Sequence, residues 1–175
     1  MSRFRRIALG SVASVALLIS LVAARRVRAG HGAASVPAAC ALLTAAEATT
    51  LGSFPATVDS SGDLSTGNSC VYKRTGAGTL DPDVVEITTR TDPDAKTAHA
   101  DYPRWVNPLL KPNPIMIWTP VPGVGDEATI EHTTLKPGSD GISFRSGAVL
   151  VKMGVYPPAS DSALATAART MVSRM

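Results

Sequence analysis

Apolar positions fall into two unlike patterns along this chain. Residues 7–24 (IALGSVASVALLISLVAA) form one uncharged, mostly apolar run, whereas beyond Pro37 apolar residues recur at helical or alternating intervals among polar ones. The second pattern predicts a folded domain. Thr44-Ala45-Ala46-Glu47 is a capping box: the Thr44 hydroxyl accepts from the Glu47 amide, the Glu47 carboxylate returns the bond, and Gly52 ends the helix after Leu51. Segments 54–58, 69–74 (SCVYKR) and 84–90 (VVEITTR) carry β-branched residues and partial alternation, which predicts strands. Residues 59–68 read as a polar loop, and 75–83 as the connection of a hairpin.

Asp92-Pro93 reads as N-cap and first helical residue, giving a helix over 93–102. Residues 103–122 hold six prolines and both tryptophans, which predicts an extended, structured loop. Segments 128–132, 141–145 and 148–156 read as further strands, with a turn at Ser146-Gly147. In the last segment, 160–175, Leu164, Ala167, Ala168, Met171, Val172 and Met175 share one helical face, expected to pack into the core. The order α-β-β-β-α-β-β-β-α defines an α+β class with an antiparallel sheet of about five to six strands and three helices.

The N-terminal run is of another kind. Its eighteen residues reach about 27 Å as a helix, near the thickness of a bilayer's hydrocarbon core. Arg3, Arg5 and Arg6 precede it, and Arg25, Arg26 and Arg28 follow. A basic patch ahead of a bare apolar helix engages a membrane or its translocation machinery. Gly10, Ser11, Ser14 and Ser20 dilute the run, so that its strongest stretch, 15–24, has the length of a signal h-region. Val22-Ala23-Ala24 and Val27-Arg28-Ala29 offer small residues to a signal peptidase, while the arginines after Ala24 resemble a stop-transfer flank. Arg5-Arg6 followed by Ile-Ala-Leu is a partial twin-arginine signal. Three readings stay open: export with cleavage, export with a retained anchor, and a cytosolic domain behind an anchor. The expected organisation is a signal peptide or membrane anchor at 1–30, a linker at 31–37, and one extracytoplasmic α+β domain at 38–175.

Charge supports that division. Six of the 17 Lys/Arg and none of the 14 Asp/Glu lie in the first thirty residues, so from His31 onward eleven basic groups face fourteen acidic ones, a balance of −3. The basic character belongs to the N-terminal segment, which argues against nucleic-acid binding. Cys40 and Cys70 are the only cysteines. In an oxidising compartment an even count is most simply one disulfide, the alternative being two buried thiols. No CxxC pair or histidine cluster adds ligands, so neither a metal nor a cofactor is expected. A lipidated cysteine would follow the apolar run directly, whereas about fifteen residues separate Cys40 from it, placing Cys40 in the domain.

Candidate chemistry is sparse. The histidines are His31 in the linker, His99 and His132; either of the last two could pair with a carboxylate such as Asp101 or Glu131. Gly141-Ile142-Ser143 begins like a nucleophile elbow, but Arg145 stands where the second glycine belongs. Asp81-Pro82-Asp83 and Asp92-Pro93-Asp94 have too few regularly spaced oxygens for a calcium loop, and read as turns and caps. A stiff proline-rich loop presenting Trp105 and Trp118, continuing through Val121, Gly123, Gly125, Asp126 and Glu127, is the candidate ligand surface. The residues favour the alternative in which the same tryptophans pack into the core and the glycines make a tight turn into the next strand.

Four landmarks recur in order: Cys40-Ala41-Leu42-Leu43-Thr44-Ala45-Ala46-Glu47 leading to Leu51-Gly52; Cys70-Val71-Tyr72; Val121-Pro122-Gly123-Val124-Gly125-Asp126-Glu127-Ala128; and Ile142-Ser143-Phe144-Arg145 with Val149-Leu150-Val151. Together they resemble uncharacterised exported actinobacterial envelope proteins, often tethered as lipoproteins. They are more remotely similar to the extracellular sensor domains of receptor kinases. The resemblance implies a Cys40–Cys70 disulfide and an α+β envelope domain, and carries no catalytic residues. The expected function is therefore non-enzymatic binding or sensing of a protein, lipid or glycan in the cell envelope. The alternatives are an envelope hydrolase using His99 or His132, and a structural partner of another envelope protein.

Overall fold

A computed structural model describes residues 38–59, 68–76 and 83–175; the apolar run, its arginines, the linker with His31, and residues 60–67 and 77–82 lie outside the described residues. Eleven elements follow one another: α1 (Ala39–Leu42), α2 (Ala45–Gly52), β1 (Ala56–Val58), β2 (Ser69–Arg74), β3 (Val84–Thr91), α3 (Ala95–Val106), β4 (Met116–Pro120), β5 (Glu127–Thr133), β6 (Asp140–Ser146), β7 (Val149–Tyr156) and α4 (Asp161–Val172). The strands form one antiparallel seven-stranded sheet, ordered β1-β2-β3-β7-β6-β5-β4. The α+β class with an antiparallel sheet stands, while the expected strand and helix counts were both one or more too low.

The additional strand is β4, inside the proline-rich stretch expected to be a loop. Pro114 and Pro120 bracket a proline-free stretch, and at the sheet's edge only one side of the strand needs ladder donors, so the missing N–H of Pro120 is tolerated. The additional helix is the single turn α1. Helix α3 also differs from its expected span. Its N-cap is Asp94, whose carboxylate accepts the Thr97 N–H at 2.7 Å, while Asp92 accepts from Arg90 at 3.0 Å. It runs on through Pro103 to Val106; Pro103 and His99 are both exposed, so water can reach the carbonyl that loses its partner.

Strand alternation sorts side chains onto two faces. Val85, Ile87, Ile130, Ile142, Phe144, Val151, Met153 and Val155 meet α1, α2 and α4 through Leu42, Leu43, Leu51, Leu164, Ala168 and Met171. Each fully buried large aliphatic side chain there contributes about 1.5–3 kcal/mol of transfer free energy. On α4 the buried face is Leu164, Ala165, Ala168 and Met171, while Met175, beyond the helix, is exposed. The other face is covered by α3, where Ala98 and Tyr102 pack on Leu150, flanked by Trp105 and Val106. Cys40 and Cys70 form a disulfide with a Cα–Cα distance of 5.1 Å, and the Tyr72 hydroxyl donates to the Leu43 carbonyl. Both links bind the N-terminal helices to β2. A disulfide of this kind suits an oxidising compartment. Among the described residues no helix is long and apolar enough to cross a membrane.

Candidate functional site

Helices α2 and α4 do not close on each other completely. Between them lies a cleft of about 460 Å³, lined by Leu43, Ala46, Thr50 and Leu51 on one side and by Ala163, Thr166, Ala167 and Thr170 on the other. The volume is in the range of small-ligand sites, about 300–1,000 Å³. Its apolar character follows from small side chains and from where the threonine hydroxyls go. Thr50 donates to the Ala46 carbonyl at 3.1 Å, Thr166 to Ser162 at 2.7 Å and Thr170 to Thr166 at 3.1 Å. With those oxygens turned to their own helix backbones, the methyl groups are what remains for the cleft.

One rim of the cleft is charged. Glu47 accepts from the Thr44 amide at 2.8 Å, completing the capping box, and from both terminal nitrogens of Arg174. The Arg174 hydrogen bonds, reinforced by the Thr44 amide, lower the Glu47 carboxyl from 4.5 to about 2. Arg174 also donates to the Leu42 carbonyl at 2.8 Å. The pair therefore locks α1, α2 and the residues after α4 together beside the opening.

The residues selected from sequence lie in several places. Trp105 is on α3, with the Arg90 guanidinium 5.3 Å from its ring centroid. Trp118 is on β4, in register with Glu131. Arg90 and Trp118 belong to strands four places apart, about 19 Å at the usual spacing of about 4.8 Å. The two tryptophans thus belong to different elements and not to one loop. Both indole N–H groups are buried without an acceptor among the described residues.

The stretch from Val121 to Glu127 is brought together tightly, against the β6–β7 turn. Val124 is buried, and the Asp126 carboxylate accepts the Gly147 N–H at 2.8 Å and Arg145 at 3.0 Å. Arg145 also donates to Glu127 at 2.8 Å and to the Gly147 carbonyl at 2.9 Å. Burial raises the Glu127 carboxyl, yet hydrogen bonds from His99 and Arg145 outweigh it and hold the group below its ordinary value. Gly123 and Gly125 have φ of 72° and 53°, the left-handed region, and a Cβ on Gly125 would run into the Arg145 carbonyl oxygen. The geometry here is that of a braced turn into β5.

His99 meets Glu127 rather than Asp101. His132 lies between Asp140, 3.0 Å from Nδ1, and Asp161, 3.2 Å from Nε2, rather than beside Glu131. Ser143 is fully buried in the middle of β6; its hydroxyl donates to Glu131 at 2.6 Å, and Lys152 approaches the other carboxylate oxygen at 2.9 Å. Tyr102 covers it from α3, donating to the Ser143 carbonyl at 2.9 Å and lying 3.0 Å from the Thr129 hydroxyl; burial pushes the phenol up to about 12. Ser143 therefore does not occupy a strand-to-helix elbow. Among the described residues no group of three or more His, Cys, Asp or Glu could hold a metal ion.

Sequence reasoning did not single out the cleft. Its signal was present as Ala46/Thr50 on one helix and Ala163/Thr166/Ala167/Thr170 on another, two rows of small side chains at helical spacing. Family models and curated proteins offer no match to this chain.

Proposed function

We propose that the protein is an exported cell-envelope domain that binds an apolar ligand, a lipid tail, without chemical turnover. The observation that carries this reading is the methyl-lined cleft between α2 and α4. The groove is open to solvent along one side and offers dispersion contacts to an apolar chain laid in it, while its one charged rim, Glu47–Arg174, is already paired internally. Export is supported by the basic–apolar–basic N-terminal pattern and by the disulfide. The resemblance to exported actinobacterial envelope proteins points the same way; binding without turnover is favoured separately by the carboxylate pairing of His99, His132 and Ser143.

Native mass spectrometry of the protein purified from its own membrane fraction or culture medium tests this reading. The protein is expected to carry a lipid that Ala46→Trp and Ala167→Trp, which fill the cleft, displace while the far-UV circular dichroism and the thermal midpoint are retained. Equal lipid loading in the parent and both variants would rule the cleft out as the binding site.

A further inference from the structure

The described residues expose seven large hydrophobic side chains, and five of them lie on two adjoining segments at the β4 edge of the sheet. Leu109, Leu110, Ile115, Ile117 and Leu135 are between 38% and 73% exposed. The Thr134 N–H donates to the Ile115 carbonyl at 2.8 Å, and Met116 pairs with Thr133, so the β5–β6 loop carrying Leu135 lies beside the segment leading into β4. Leu109 and Leu110 sit at the tip of a tight turn. Asn107 holds that turn from both sides, its side-chain amide donating to the Lys111 carbonyl at 2.8 Å and its side-chain oxygen accepting the Leu109 N–H at 3.3 Å. Leu110 has φ of 49°, a left-handed conformation that costs a branched side chain free energy, so a Leu is held outward where a Gly would be easier.

The charges beside these side chains are of one sign. Lys111 follows Leu110 and Lys136 follows Leu135, each exposed. No Asp or Glu occurs in residues 102–125 or 133–139. The carboxylates bordering these two stretches are already held: Asp101 by Arg90, Asp126 by Arg145, Glu131 by Ser143 and Lys152, and Asp140 by His132. A patch of this kind, leucines and isoleucines flanked by two lysines that no carboxylate among the described residues pairs, matches a surface that is apolar within and anionic at its face.

We propose that this β4-edge patch docks the domain on the surface of an anionic lipid bilayer, with the leucine tips entering the headgroup boundary and Lys111 and Lys136 meeting the lipid phosphates. The inference rests on the reading of the chain as membrane-directed, and it supplies an orientation that reading lacks. The test uses the full chain reconstituted in phosphatidylcholine vesicles with and without phosphatidylglycerol, with hydroxyl-radical footprinting of the five side chains. Two lysines shift the docked-to-undocked ratio about 25-fold toward docking on the anionic surface. Lys111→Gln with Lys136→Gln is expected to erase that headgroup dependence without changing the near-UV spectrum. Labelling unchanged by phosphatidylglycerol, on chains that nevertheless float with the vesicles, overturns the patch and leaves the membrane-directed reading standing. Failure to float at all overturns both. Protection that follows protein concentration in micelles assigns the face to a second copy of the chain, and also overturns it.

Discussion

Two guanidinium nitrogens of Arg174 meet the two carboxylate oxygens of Glu47 at 2.7 and 2.6 Å, across 127 residues of sequence. This fork-to-fork geometry fixes both partners and explains why the Glu47 carboxyl is lowered from 4.5 to about 2. A depressed folded-state value means that the contribution to stability is fully present above the unfolded value and disappears as pH falls through the folded one. The difference in urea midpoint between the parent and Glu47→Gln is therefore expected to be constant above pH 4.5 and to close as pH approaches about 2. A difference that widens on acidification would contradict the assignment.

Loss of the disulfide is expected to cost about 3.5 kcal/mol, the chain-entropy value for a separation of 30 residues. Chemical denaturation of Cys40→Ser with Cys70→Ser against the parent measures it. Reductant should bring the parent down to the double variant and leave the variant unmoved.

The two glycines of the turn into β5 should respond unequally. Gly123→Ala has open space around the new Cβ and meets only the backbone cost of a positive φ, about 1–2 kcal/mol. Gly125→Ala adds a collision with the Arg145 carbonyl, which the Asp126 N–H already occupies at 2.8 Å. Thermal unfolding should show Gly125→Ala as the more damaging change by more than about 1 kcal/mol.

Tyr102→Phe removes the hydroxyl that donates to the buried Ser143 carbonyl. Ser143 stays paired with Thr129 and Lys152 in the sheet, so losing this additional bond should cost about 0.5–1.5 kcal/mol. Hydrogen exchange should show faster opening where α3 packs on β6, with little change at α2.

How far each feature could be read in advance depended on the range of the interaction that makes it. The α2 capping box was legible because Thr44 and Glu47 are three residues apart and the bonds are local. The choice of Asp94 over Asp92 as the α3 cap was not, because Asp92 is drawn away by Arg90 on β3. Strand β4 was hidden by its flanking prolines, which exclude a central strand and permit an edge one, a distinction that exists only after the sheet is assembled. The same holds for Asp126 and Glu127, which look like free carboxylates in the sequence and are neutralised by Arg145 from β6. The α2–α4 cleft requires two helices at opposite ends of the domain to lie side by side, and no local pattern encodes that.

The order β1-β2-β3-β7-β6-β5-β4 divides the sheet into a three-stranded and a four-stranded meander that share no strand. They meet only where β3 pairs with β7, through partners such as Ile87 and Met153. Closing that seam carries the entropy cost of a long loop and must wait until the last strand is available. The Cys40–Cys70 link lies entirely on the first side, so oxidation does not depend on the seam. A chain still being synthesised therefore has β1–β3 and β4–β6 without the strand that joins them, the first group already able to be cross-linked, and becomes one sheet only with β7.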